Sequence, residues 1–430
     1  MTKYKTMDAQ FFAKNRSAFT KKMKANSMAI FFSNDLMPRS ADGHYPFRQN
    51  PDFFYLSGID QEECILILYP DAPLDSQKAM LFLKETNERI AVWEGDKVNK
   101  EQGQALSGIS SVFWNDEFTN TLSHLANGVE CFYLNMNEND RASSEVIGKE
   151  ISFAREMRNK YPLHHFERSA PILSALRSIK SAEEIATIQS ACDITEKAFR
   201  QVLKTIRPGM MEYEVEAEII STFIRNGATG HAYEPIVASG ANACVLHYVN
   251  NSALCKDGDL ILLDFGAEYG NYASDLTRTI PVNGKFSARQ KEVYQACLNV
   301  HHEAKKIIRP GITLSEFNQE VKLIMTSALV DIKLIDKNLN KEDKMRLCNK
   351  YFPHGTSHFM GLDVHDVGAR YGKIQENMCF TIEPGIYIRE EGIGVRIEND
   401  IIVRENGNLD LMSKIPIEIE EIEELMLASK

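Results

Sequence analysis

Four carboxylates stand where strand-forming sequence rarely places them. In LILLDFGAEYGNYASDLTRT, residues 260–279, two apolar, β-branched runs flank a Gly/Asn turn, which signals a hairpin. Asp264 and Asp275 interrupt those runs, although strands disfavour Asp. The point midway between them is Tyr269–Gly270, so antiparallel pairing sets them opposite or nearly opposite, roughly 5 Å apart at Cβ. Like charges that close destabilise a sheet unless a cation lies between them. The alternative is one surface Asp and one satisfied by backbone N–H groups. A second stretch, CFTIEPGIYIREEGIGVRIENDIIV (379–403), repeats the arrangement: Glu383 and Glu398 straddle a break at Glu390–Glu391–Gly392. Two acid pairs, each across a hairpin, read as the two halves of a metal site.

A histidine is expected to complete the set. Three cluster in FPHGTSHFMGLDVHD, at His354, His358 and His365. Gly355 lies between the first two and no H-E-x-x-H glutamate is present, so a zincin helix is not expected. Carboxylates with one imidazole form a hard, oxygen-rich donor set. It favours manganese, then iron or cobalt, over a thiolate-type structural zinc. Four carboxylates overload a single buried divalent ion, whereas two ions sharing bridging carboxylates balance them. Such ions sit roughly 3.5–4 Å apart and make a nucleophile of a bridging water near neutral pH. The implied chemistry is metal-assisted hydrolysis.

These side chains need a scaffold that brings distant stretches together. The second half carries a weak internal repeat. A helix over 181–205 ends in Ile206-Arg-Pro-Gly209 and precedes one near 212–226; another over 287–306 ends in Ile308-Arg-Pro-Gly311 and precedes one near 313–328. After each pair come a His-containing segment and an acid-bearing hairpin. Two similar halves could therefore meet at a pseudo-twofold axis, with the acids converging there and a C-terminal helix, 417–428, outside. His301 and His302 are expected to face solvent on the third of these helices. In the first half, residues 8–24 read as a helix capped by Asp8. The runs MAIFF, CILILY, AMLFL, SVFW and CFYLN alternate with helical patterns near 98–106, 116–126 and 144–160, which suggests an α/β domain with a mixed sheet. The aromatic and polar segment 46–58 suits a packed interface loop. Ser181-Ala-Glu-Glu opens a new capped helix after a Pro- and His-containing stretch, so the domains are expected to be 1–173 and 174–430.

Composition narrows the partners. The chain has 430 residues, long enough for two cores, with 43% hydrophobic and 25% charged residues. A net charge of −11 disfavours nucleic acid or an anionic membrane surface. Eight scattered cysteines without a C-x-x-C pair read as reduced core residues. No apolar run reaches membrane-spanning length, and the first residues lack a signal-peptide pattern, so a cytoplasmic protein is expected.

The second domain resembles the pita-bread metallopeptidases through Leu263-Asp-Phe-Gly266, Ser274-Asp-Leu-Thr-Arg278, His354-Gly-x-x-His358, Thr381-Ile-Glu-Pro-Gly385 and Arg396-Ile-Glu-Asn399. The first, with Phe47-Arg-Gln-Asn-Pro-Asp52 and Tyr55-Leu-Ser-Gly58, is similar to the N-terminal domain of the bacterial aminopeptidase P family. The resemblance implies an α/β N-terminal domain, an α+β pita-bread catalytic domain, and an enzyme using two divalent ions, manganese first. It implies that Asp264 chelates one ion, that Asp275 and Glu398 bridge both, and that His358 and Glu383 complete the other. Glu383 would also handle the proton of the attacking water. His247, in Val245-Leu-His-Tyr248, and His365 match substrate-side histidines that would bond the scissile carbonyl. His354 would line a proline pocket, and Arg396 would hold an acidic ligand. Trp93 and Asp42 fall where the family lets one subunit close a neighbour's site, which suggests a dimer or tetramer. The implied activity is release of the N-terminal residue from peptides with proline second. The alternatives are an Xaa-Pro dipeptidase (prolidase) on the same scaffold and a catalytically inactive peptide-binding module; such relatives lose metal ligands, and none is lost here.

Overall fold

The apolar runs of the first half become one sheet. In the computed structural model, which describes residues 3–136, 138, 139, 141 and 147–428, the strands run in the order Ser111–Trp114, Ala79–Leu83, Ile65–Leu68, Ser27–Phe32, Cys131–Leu134 and His165–Arg168. Ser27–Phe32 pairs antiparallel with Ile65–Leu68 and parallel with Cys131–Leu134. The sheet is mixed. Every residue of Ser27–Phe32 is buried, which is why Met28 to Phe32 are continuously apolar rather than alternating. Asp8 caps the helix Ala9–Thr20 by accepting the Gln10 N–H. The helix expected near 144–160 is Lys149–Lys160; residues 144–146 lie outside the described residues.

Segment 46–58 is not an interface loop. It holds a buried helix, Pro51–Ser57. The Asn50 side chain accepts the Phe53 N–H at 3.0 Å, Pro51 occupies the first turn where no donor is needed, and Gly58 closes the helix at φ 70°. Four large apolar residues in a row, Phe53 to Leu56, disguised ordinary capping signals; all four are buried.

The chain divides into two compact units, Thr6–Arg177 and Ser178 onward, the latter together with the residues up to Lys5. Arg177 ends the helix Ala170–Arg177, and its guanidinium holds the buried Asp52 carboxylate at 2.7 Å.

In the second unit the repeat is visible in the hydrogen bonds. Helices Ala182–Thr205 and Glu212–Arg225 form the first pair, and Ala288–Ile307 and Leu314–Asp331 the second. Ser181 with Glu184, Ser287 with Gln290 and Thr313 with Glu316 close capping boxes. Each long helix stops at its Pro-Gly turn, with Gly209 and Gly311 at φ 93° and 90°. The turns dock alike: the Gly209 N–H reaches the Cys255 carbonyl and the Gly311 N–H the Ile374 carbonyl, both at 2.9 Å. In return, the Cys255 N–H bonds Met210 O and the Ile374 N–H bonds Ile312 O. Each half then ends in a long hairpin, Leu260–Pro281 and Cys379–Ile402, and an antiparallel bridge between Thr277 and Glu398 joins the two. Helix Ile419–Leu427 packs against Ala182–Thr205 and Ala288–Ile307.

His301 does not face solvent. It is fully buried with neither ring nitrogen hydrogen-bonded, because it continues the inward stripe of Val293, Cys297, Val300 and Ala304 at helical spacing. His302, its neighbour, is exposed at the side chain. Among the described residues no helix is long and apolar enough to cross a membrane.

Candidate active site

The two hairpins place their acids differently. In the second, Ile382 pairs with Asn399 and Gly385 with Arg396, so the same register sets Glu383 opposite Glu398. In the first, Asp264 faces Thr277 and Phe265 faces Leu276, so Asp275 falls opposite Gly266. The turn lies one residue later than the midpoint of the acids, at Gly270–Asn271, both with positive φ. A glycine is required at 266: a Cβ there would sit 1.7 Å from the Ser274 carbonyl oxygen. Asp264 and Asp275 are therefore diagonal neighbours. The Tyr233 hydroxyl still touches both, at 2.6 Å from Asp264 Oδ1 and in a shorter contact with Asp275 Oδ1. A phenol has one proton, so this three-oxygen contact needs a second proton or a cation.

The hairpins meet through Thr277. Its carbonyl accepts the Glu398 N–H at 3.0 Å, and its hydroxyl donates to Glu398 Oε2 at 2.6 Å. The Arg396 N–H is paired with Thr279 Oγ1. Sequence stretches 120 residues apart are thus zipped edge to edge, and Asp275, His358 and Glu398, all buried, have ligand atoms within 4.8 Å of one another.

His358 is oriented as a ligand would be. Its Nδ1 lies 2.9 Å from the Phe359 carbonyl, so Nδ1 carries the proton and Nε2 presents its lone pair. That lone pair points at Asp275 Oδ2, 3.4 Å away, and Glu383 Oε1, 3.8 Å away. A lone pair facing two acid oxygens is repulsive unless something positive sits between them. The acids report the same crowding. Burial, then the charge of Asp264, holds Asp275 well above the usual carboxylate range. Burial, then Asp275, does so for Glu398. Burial raises Glu383 to about 7, with His358 and Arg396 opposing. These residues fit divalent cations: hard donors, closely spaced, with an excess of negative charge.

Arg396 touches Asp264 Oδ2 at 2.5 Å through Nη2, the Tyr387 hydroxyl at 2.9 Å through Nη1 and Thr277 Oγ1 at 3.2 Å through Nε. The Tyr387 hydroxyl also meets His354 Nε2 at 2.8 Å. His354 Nδ1 lies 2.7 Å from the Gly355 carbonyl, and burial, then Arg396, lowers its pKa to about 3; the ring is neutral. Phe352 and Tyr387 flank it. The rings of His365 and His358 meet edge to face with centroids 4.4 Å apart. His247 is exposed in a turn, close enough to His354 for its charge to oppose protonation there. The structure therefore gathers Asp264, Asp275, His354, His358, Glu383, Arg396 and Glu398, with His247 and His365 beside them. Trp93 and Asp42 belong to the other unit: Trp93 is exposed on the short helix Glu88–Glu94, and Asp42 is exposed between the short strands Pro38–Ser40 and Gly43–His44.

Tyr233 and Tyr387 were not anticipated. Strand alternation carried a signal for Tyr387, which shares a face with Glu383 and Gly385; nothing in the spacing marks Tyr233.

Residues 186–405 match the family model described as metallopeptidase family M24, and residues 12–133 match that of the aminopeptidase P N-terminal domain. The chain belongs to metallopeptidase family M24. Xaa-Pro aminopeptidase of Escherichia coli (strain K12) is 36% identical over 440 residues, covering 98% of each chain. Among solved structures, a putative aminopeptidase P from Bacillus anthracis superposes with a TM-score of 0.92 at 37% identity, covering 99% of both chains. E. coli aminopeptidase P with the inhibitor Pro-Leu gives 0.88 at 34% identity, again over 99% of both. The M24 match lies in the second unit, the likeness to aminopeptidase P extends over both, and the fold is that of an α/β N-terminal domain followed by a pita-bread domain.

Proposed function

We propose that this M24 chain is an Xaa-Pro aminopeptidase, releasing the N-terminal residue from peptides whose second residue is proline. The observation that carries this reading is the convergence of Asp275, His358 and Glu398 in one buried cluster, with Asp264 and Glu383 adjoining it. The E. coli relative supports the substrate class: Pro-Leu, its inhibitor, is what remains when one residue leaves Xaa-Pro-Leu.

Asp264, Asp275, His358, Glu383 and Glu398 would hold two divalent ions, manganese first on the hardness of the donors. Divalent ions bound there would polarise the scissile carbonyl and acidify water at neutral pH. Glu383, whose Oε1 lies 3.8 Å from His358 Nε2 at the edge of the cluster, takes the proton of the attacking water and delivers it to the departing proline nitrogen. His247 and His365 donate to the carbonyl oxygen as charge develops on it. His354, fixed by Tyr387 and backed by Phe352, forms one wall for the pyrrolidine ring. The Xaa–Pro bond has no N–H and reaches cis more readily than other peptide bonds, so a cleft shaped for the ring has a physical basis for selection. Arg396 keeps Asp264 oriented.

The domain assignment accompanying this reading is 1–173 for the N-terminal domain and 174–430 for the catalytic domain. A reducing, cytoplasmic setting suits the eight cysteines, all free and buried. Trp93 and Asp42 would serve a dimer or tetramer in which one subunit closes its neighbour's site. Parallel assays on Ala-Pro-Pro and Ala-Pro test the specificity: release of Ala from the tripeptide is expected, and activity on the dipeptide alone would make the chain a prolidase instead.

A further inference from the structure

His247 has no regular element to hold it. The chain leaves the 3-10 turn Gly240–Cys244, makes a bend and a turn through residues 245–247, and runs without regular structure to Ser252. Its imidazole is exposed. A donor that must meet a carbonyl within a few tenths of an ångström cannot depend on such a loop unless the loop is fixed elsewhere.

The fixing point is Glu212, the first residue of helix Glu212–Arg225, which is fully buried. Its carboxylate accepts five hydrogen bonds. Oε1 takes the Ser239 N–H and the Ser239 hydroxyl, both at 2.7 Å, and the Asn242 side-chain amide at 3.2 Å. Oε2 takes the Tyr248 hydroxyl and the Ala253 N–H, both at 2.8 Å. The first group precedes His247 in sequence and the second follows it, so one carboxylate ties both ends of the segment. The Glu212 N–H returns a bond to the Ala253 carbonyl at 2.9 Å. One helical turn on, Glu216 holds Asn251, whose side chain also bonds Val237 N and Pro235 O. Burial alone would raise the Glu212 pKa; the donors around it more than offset this and leave it below its ordinary value.

The internal repeat shows that the fold itself does not demand this acid. Docking of Gly209 on Cys255 corresponds to docking of Gly311 on Ile374, which makes Leu314 the counterpart of Glu212. The second helix pair is present with leucine there. The same correspondence makes His247 and His365 near-equivalents, eight residues before Cys255 and nine before Ile374. His365 has its own anchor, since the adjacent Asp366 is locked to Lys180 by a buried 2.8 Å ion pair. Glu212 supplies on one side what Asp366 supplies on the other.

We infer that Glu212 is a positioning residue for the proposed reaction: through Tyr248 and Ala253 it holds the 245–253 segment so that His247 meets the substrate carbonyl. This rests on the aminopeptidase reading. Glu212→Gln keeps the shape but gives the Ala253 N–H or the Ser239 N–H an amide NH2 to face instead of an oxygen.

The test is a double-mutant cycle on the manganese-loaded full chain with Ala-Pro-Pro. Glu212→Gln and His247→Ala are each expected to lower kcat/KM by about tenfold to a hundredfold. The double variant should be no slower than His247→Ala, because a clamp matters only while its histidine is there. Losses that multiply would make Glu212 a general structural residue and overturn the inference. Tyr248→Phe removes one bond of the five and provides the same cycle if Glu212→Gln does not fold. Amide exchange of the metal-free protein reads the clamp without activity. Segment 245–253 should exchange at least about tenfold faster in Glu212→Gln while Leu260–Phe265 is unchanged. Unchanged exchange in 245–253 would refute the clamp. A wild type inert on Ala-Pro-Pro would instead refute the aminopeptidase reading, and with it the positioning role.

Discussion

Replacing Arg396 by Met separates a structural ion pair from the counter-charge of a cation site. Arg396 is buried, and its guanidinium contacts Asp264, Tyr387 and Thr277. Removing it from the metal-free protein leaves Asp264 buried without its partner, in a cluster whose other acids already resist ionisation. Breaking a buried pair from one side costs roughly 3–5 kcal/mol, which at about 2–4 °C per kcal/mol lowers Tm by about 6–20 °C. Divalent ions would take over the neutralisation of Asp264. Only the bonds to Tyr387 and Thr277 would then stay lost, about 1 kcal/mol each, or roughly 4–8 °C. Thermal unfolding of wild type and Arg396→Met, each with chelator and with saturating manganese, gives the four values needed. The rise in Tm on adding manganese should be larger in the variant. An equal loss with and without metal would refute the reasoning and reduce Arg396–Asp264 to an ordinary ion pair.

Other substitutions probe separate links. Glu383→Gln should fold and bind metal yet lose activity by about a hundredfold or more in kcat; near-normal turnover would remove Glu383 from proton transfer. Tyr233→Phe takes the phenol from between Asp264 and Asp275 and should weaken metal affinity by about tenfold to a hundredfold, read by calorimetric titration; unchanged affinity would place Tyr233 outside the site's function. His301→Leu should stabilise the protein. Burial, with Arg278, Lys305 and His302 adding to it, keeps the imidazole pKa well below its ordinary value. Below about pH 6.5 the unfolded chain therefore binds a proton that the folded chain refuses, and stability falls by about 1.4 kcal/mol per unit as pH drops. Leucine abolishes that contribution and removes two unpartnered nitrogens, a gain of about 1–2 kcal/mol at neutral pH; urea titrations showing the same slope below pH 6.5 in both proteins would contradict it.

Legibility in the sequence followed how local the determinants are. Capping boxes at Ser181, Ser287 and Thr313 and the paired Pro-Gly stops are written in contiguous residues, and the helices they bound lie within a few residues of expectation. Pairing Glu383 with Glu398 needed only a hairpin with an even register. For Asp264 and Asp275 the turn falls one residue later, at Gly270–Asn271, and the acids slide to a diagonal across Gly266. Helix Pro51–Ser57 was hidden because its aromatic run looks unlike a helix, although Asn50, Pro51 and Gly58 carry its signals. His301 and His302 are adjacent and of one residue type, and only the position of His301 in the apolar stripe separates the buried ring from the exposed one. Tyr233 and Glu212 act through contacts with residues tens of positions away, and no periodicity encodes such contacts.

Metal stoichiometry measured together with turnover tests the central claim most directly. Protein stripped by chelator is titrated with manganese while Ala release from Ala-Pro-Pro is followed. The account predicts about two ions bound per chain, with activity appearing as they bind. Fewer than about one ion per chain at saturation, with no hydrolysis, would contradict it and leave an inert peptide-binding module on the same fold.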